Sequence, residues 1–192
     1  MIDDLDFTKD RPFIEFSNEY LNSLSDDCFI NNNLNLEIAT LIYEELKLRK
    51  SISSKKILSN LLFKFSSVNH EPIKWLKDAR LIMKTIKNVD SKPSYTNSIY
   101  IILRDGYTFQ NHKYGVYVGQ TSKDVEKRFC EHKSGINSGR GMQKYGIQLL
   151  RSLWYYGKVK GNKRFYYETI VHLKLKEVVP KVSGDINQKF LY

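Results

Sequence analysis

Two tyrosines, an arginine, a histidine and one carboxylate are the residues of this chain whose types and spacing suggest chemistry. Tyr117 opens the segment Tyr-Val-Gly-Gln-Thr-Ser-Lys-Asp-Val-Glu-Lys-Arg-Phe-Cys-Glu-His-Lys, which ends at Lys133. It sets an apolar strand before a helix on which Arg128 and His132 lie four residues apart and so project from one face. Tyr100 lies upstream in the apolar run from Ser98 to Leu103, and Glu168 follows in a later amphipathic segment. Gathered around a short sheet, such a set suits attack on a phosphodiester. A guanidinium offsets charge on the non-bridging oxygens, a hydroxyl positions water, and a carboxylate holds a cation.

Each residue also has an ordinary explanation. Arg128 and His132 would be exposed helix surface, with Arg128 paired to Asp124 or Glu131. Val125 and Phe129 mark the core side of that helix, however, and place Arg128 and His132 at its margin. Tyr100 and Tyr117 would be a cross-strand aromatic pair. The Gly119 that follows Tyr117 instead ends a strand where backbone can approach a phosphate. A phenol with a pKa of about 10 is a poor base unless cationic neighbours favour its ionised form, a shift that the basic surroundings could supply. Glu168 is the only acid between Glu131 and Glu177. Its bland reading is a surface ion pair with Arg164 or His172, yet a lone carboxylate in a cationic segment is what a single Mg²⁺ needs, because that ion takes few protein ligands. His172 reads as plain surface. No phosphate-binding glycine loop, dinucleotide fingerprint or zinc-ligand spacing occurs.

The elements that must position these residues fall in two regions. In residues 1–93 the expectation is helical: a weak helix over 13–24, a loop at Asn31 to Asn33, and apolar stripes through Ile38 to Leu46, Ile57 to Phe65, and 72–88 from Pro72. A polar stretch around Pro93 reads as the linker. In 97–192 the period changes to two. Strands are expected at 98–104 and 114–119 as an antiparallel hairpin, then a helix capped by Thr121 or Ser122 that runs to Ser134. A loop over 134–141, a short helix over 142–145, a strand at 151–156 and a helix over 163–177 complete the region.

Charge divides along the same line. Residues 1–97 hold 14 basic and 14 acidic side chains, whereas 98–192 hold 17 against 7, so the net +10 belongs to the second half. A basic, tyrosine-rich half favours a polyanion, with nucleic acid the leading candidate. Cys28 and Cys130 form no metal-like or disulfide pattern, which suits a reducing compartment. The acidic start has no export signal and the apolar runs are too short for a bilayer, so the expectation is a soluble, cytoplasmic protein with no membrane partner.

These residues are similar to the GIY-YIG nuclease family. Ser98-Ile99-Tyr100 corresponds to its first tripeptide, Tyr117-Val118-Gly119 to its second, and Lys-Asp-x-Glu-Lys-Arg-x-x-x-His at 123–132 to the pattern that follows. Gln-Lys-Tyr-Gly at 143–146 and a helix bearing Glu168 come next in order, so the resemblance spans residues 97–190. It implies an α+β chain whose C-terminal domain has a three-stranded antiparallel sheet flanked by helices. It also implies an endonuclease that cuts double-stranded DNA with one Mg²⁺ (or Mn²⁺) per site. Glu168 would bind the metal, and Arg128 would grip the scissile phosphate. Tyr100 would be the general base or orient the water, Tyr117 would bind phosphate or share that role, and His132 would assist. Gln120 stands where some members carry a lysine, so Lys123 or Lys133 would substitute; with Gly119 and Asn187 these make the expected substrate-binding set. Ser98 and Val118 replace scaffold residues, and the connection over 101–116 is longer than usual. A homodimer, and a restriction, mobile-element or repair role, stay open. So does the rival reading, a non-catalytic nucleic-acid-binding module that keeps the fold.

Overall fold

The computed structural model describes residues 5–30, 34–87, 89–106, 113–153, 158–187 and 189. The chain divides into two compact units, Met1–Leu76 and Lys77–Tyr192.

The first unit is built on three helices, α1 (Asn18–Asp27), α2 (Leu36–Arg49) and α3 (Ile52–Ser67). Each begins at a side chain that accepts an otherwise unmatched backbone N–H: Ser17 from Tyr20, Asn35 from Ile38, and Ser51 from Ser54. Phe13, Leu21, Leu36, Ile42, Leu46, Leu61 and Phe65 are buried between them. The buried Glu45 carboxylate accepts from Arg11 Nε and Nη2 at 3.0 and 2.8 Å and from Arg49 Nε at 2.8 Å. Burial opposes its ionisation, but the two guanidinium groups outweigh that and hold its pKa down. The helix expected from Pro72 begins only at Leu76: Ile73 N donates to Thr40 Oγ1 at 3.0 Å, which anchors the preceding turn outside helical geometry.

The boundary falls at the first residue of α4 (Leu76–Met83). In the second unit, the stretch around Pro93 is tied to the sheet by a Ser91–Val159 bridge and by Lys92 N donating to Lys158 O at 3.2 Å.

Five strands make a mixed sheet: β1 (Asn97–Arg104), β2 (Gly115–Thr121), β3 (Gly146–Leu149), β4 (Lys158–Val159) and β5 (Val182–Ser183). The α+β class is as expected. The sheet is larger than the three-stranded antiparallel one implied by the resemblance, because β4 extends one edge of β1 and β5 pairs parallel with β2. Two-residue strands carry no readable alternation. The third strand also comes earlier than 151–156. The chain enters β3 directly from α6 (Met142–Tyr145), and residues 151–153 form a 3₁₀ turn. Residues 154–157, and 107–112 of the long hairpin connection, lie outside the described residues.

Strand β1 is buried along both faces. Tyr100 and Ile102 pack with Met142, Val125 and Phe129, under α6 and α5 (Val125–Ser134). Helix α7 (Arg164–Lys176) packs against β1 and β2 and contributes Tyr167, Val171 and Leu175. Replacing Glu45 with alanine leaves Arg11 and Arg49 without their shared carboxylate. It should cost the first unit about 3 kcal/mol, read as a lowered midpoint in chemical denaturation.

Candidate active site

The register of the hairpin builds the site. Tyr100 on β1 stands opposite Gly119 on β2, and Ile102 opposite Tyr117, so the two tyrosines are diagonal neighbours with ring centroids 6.2 Å apart. Gly119 is required by the phenol. A Cβ there would lie 2.5 Å from Tyr100 Oη and 2.9 Å from Tyr117 Cε1. Its missing side chain therefore makes room for Tyr100. Gly139 plays the matching part on the far side, where a Cβ would meet Tyr117 Cε2 at 2.8 Å.

Helix α5 supplies His132 and Arg128. Its N-cap is Asp124, whose carboxylate accepts from Lys127 N at 2.9 Å; Thr121 instead accepts from Lys123 N at 3.0 Å and shapes the preceding turn. His132 is fully buried, not marginal, and is held at both ring nitrogens. Gly139 N–H donates to Nδ1 at 3.1 Å, which puts the ring proton on Nε2, and Nε2 lies 2.8 Å from Tyr100 Oη. The imidazole therefore donates to the phenol. Burial, with help from the Arg128 charge, lowers the His132 pKa to about 4. A neutral, enclosed imidazole fixes the Tyr100 hydroxyl.

Arg128 joins two environments. Its Nη1 donates to Glu131 Oε2 at 3.0 Å and its Nη2 to Asn137 O at 2.8 Å, while its charge also acts on the Tyr100 phenol. Glu131 is shared with Lys123, Nζ to Oε1 2.5 Å. Together with Gln120, Thr121, Ser122, Asn137 and Arg164, these three residues line an open cleft of about 280 Å³ at the end of β2. Tyr100, Tyr117 and Glu168 are not among its lining residues.

Both phenols have raised pKa values. Burial is the main cause at Tyr100, reinforced by Tyr117, and the opposing pull of Arg128 is smaller. At Tyr117 burial again leads, followed by the charges of Asp185 and Glu168. The shift towards ionisation expected from basic surroundings is thus reversed, because enclosure outweighs the guanidinium.

Glu168 is 5% exposed and accepts no hydrogen bond from a described residue. The surface ion pair with Arg164 is not formed, and His172 is buried too, with its Nδ1 lacking a partner. Burial and the neighbouring Asp185 raise the Glu168 pKa to about 7, against a smaller opposing effect of Arg164. Asp185 was not singled out in the sequence; its position after Gly184 at the end of β5 leaves no pattern to find it by. Among the described residues no three His, Cys, Asp or Glu side chains cluster as a metal site; an enclosed carboxylate short of hydrogen-bond donors is what a hard divalent cation that keeps most of its waters would take as a single protein ligand. Glu168 would be the main ligand.

Two expected substrate contacts are not among the residues lining the cleft. Lys133 Nζ donates to Gln143 O at 3.1 Å and Gly146 O at 2.7 Å, binding α5 to the start of β3. Asn187 Oδ1 accepts from Lys189 N at 3.1 Å in a local turn, and its backbone N–H donates to Thr169 Oγ1. Lys123 does line the cleft. The structure thus gathers Tyr100, Tyr117, His132 and Arg128, brings Glu168 within electrostatic reach of Tyr117, and places Lys133 and Asn187 in hydrogen bonds outside the cleft lining. No family model, curated protein or solved structure matches the chain. Among the described residues no helix is long and apolar enough to cross a membrane.

Two measurements follow from these environments. Nitrogen NMR should find His132 as the neutral Nε2–H tautomer from pH 5 to 8, and titration near 6.5 would contradict the buried pairing. Glu168→Gln removes a carboxyl whose folded pKa is raised. Without divalent ions, wild-type stability should fall as pH rises from about 4.5 to about 7, then level off. The variant's advantage in thermal melts should be absent below that window and reach on the order of 2 kcal/mol above it.

Proposed function

We propose that the second unit is a divalent-metal-dependent endonuclease that hydrolyses phosphodiester bonds in double-stranded DNA. The observation that carries this reading is Arg128, which lines an open cationic cleft and whose charge also acts on the Tyr100 phenol. A phosphate entering the cleft would meet a guanidinium within electrostatic reach of a fixed hydroxyl. The five motifs in sequence order support the same reading, as does the excess of basic side chains in this half.

Within it, Arg128 offsets charge on the non-bridging oxygens as they develop it. Glu131 holds Arg128 and Lys123 in place before substrate arrives. Tyr100 keeps its proton at neutral pH, so its role is to orient the attacking water; His132 Nε2–H fixes the rotation of that hydroxyl by donating to it. Tyr117 steadies the same water or the phosphate from the diagonal position. Mg²⁺ or Mn²⁺ at Glu168, when bound, supplies Lewis-acid polarisation of the phosphate and lowers the pKa of water.

The rival reading is a DNA-binding module without catalysis. It is favoured by one observation: Glu168 and both tyrosines do not line the cleft. Cleavage decides between them. With Mg²⁺, the wild-type protein should nick or cut plasmid DNA. Glu168→Ala should reduce the rate by at least about a hundredfold with binding largely kept, and Arg128→Ala nearly as much. Equal rates for wild type and Glu168→Ala would remove Glu168 from the site. Salt-sensitive binding without cleavage under any divalent ion would leave the binding module.

A further inference from the structure

The cleft contains three basic side chains, and two are already matched. Lys123 and Arg128 both pair with Glu131. Arg164, the first residue of α7, forms no ion pair among the described residues. Its Nη1 donates to the buried Asn97 Oδ1 at 3.3 Å, and its guanidinium carbon lies 4.7 Å from the centre of the Phe165 ring. Its Nε is buried with no acceptor. Nη2 likewise has none among the described residues. The group is therefore held in place at one nitrogen while it lines the cleft with no carboxylate paired to it.

We propose that Arg164 is a second phosphate-binding residue of the cleft, seating the backbone phosphate next to the one gripped by Arg128. This rests on the nuclease reading above. The placement suits it: Arg164 enters from α7 and Arg128 from α5, so the two guanidinium groups line one cleft from different elements. Glu168 follows Arg164 by one helical turn, about 6 Å along the axis. A phosphate seated at Arg164 thus lies near the start of the helix that carries Glu168. Arg128 alone would fix one phosphate and leave the strand free to pivot. Two anchored phosphates set its direction. Asn97 belongs to this device as a positioning residue, since it holds Nη1.

The test is binding of a short DNA duplex in the absence of divalent ions, by fluorescence anisotropy across a range of salt, with plasmid cleavage in Mg²⁺ run in parallel. Arg164→Ala should weaken binding about tenfold and lower the slope of log K against log salt by about one. Arg164→Lys keeps the charge but loses the planar group that Asn97 holds in place, so it should keep the wild-type slope and bind several-fold more weakly. Wild-type slope and affinity in the alanine variant, with wild-type protein binding and cleaving DNA, overturn this role for Arg164 alone. If the alanine variant fails to fold, the lysine variant decides, and its identity with wild type in affinity would overturn the role. Wild-type protein that binds no duplex at low salt overturns the nuclease reading, and this inference with it.

Discussion

The second unit depends on one close packing: the Tyr100 phenol lies over Gly119 and accepts a hydrogen bond from His132. The strand pairing sets Tyr100 against the one residue of β2 that leaves room for its ring. The backbone N–H of Gly139 decides which nitrogen of the imidazole carries the proton, and so which way the bond to the phenol runs. A small apolar cluster of Ile102, Met142, Val125 and Phe129 closes around this arrangement. Core and candidate site therefore share residues. A hydroxyl that is part of the core is held to one position, and that rigidity lets it orient a reactant without reorganising.

Enclosure sets the electrostatics. In sequence, a cationic region suggests phenols shifted towards ionisation and a carboxylate paired on the surface. In the fold, burial raises both phenols, holds His132 neutral and lifts Glu168 to about 7. Three basic side chains sit instead around the cleft, where Glu131 pairs with both Lys123 and Arg128. Two zones result, a dry one of phenols and imidazole and a wet one of guanidinium groups, and Arg128 lines the second while acting by its charge on the first. An anion in the wet zone would be sensed in the dry zone through that side chain.

Much of this was legible because it is periodic or local. Strand β1, the short helix at 142–145 and α7 follow from spacing two or spacing three to four, and Val125 with Phe129 correctly marks the buried side of α5. Longer-range features were not. β4 and β5 are two residues each, too short for alternation to show. The cap of α5 moved to Asp124 because Thr121 is taken by its own turn. Lys133 resembles a phosphate ligand in a basic run, yet two carbonyls from a later segment capture it. Asp185 and Arg164 acquire meaning only when β5 and α7 fold against β2. Gly119 was singled out as a place of close approach, and the phenol that fills it, Tyr100, shows only in the strand register.

The central claim is that Glu168 holds the cation that serves this pocket. Anomalous diffraction from crystals soaked in Mn²⁺ locates such an ion directly. The account predicts a peak within about 2.3 Å of a Glu168 carboxylate oxygen, with most remaining ligands water. A Mn²⁺ peak elsewhere in the second unit, with the Glu168 carboxyl unliganded at saturating metal, would contradict it.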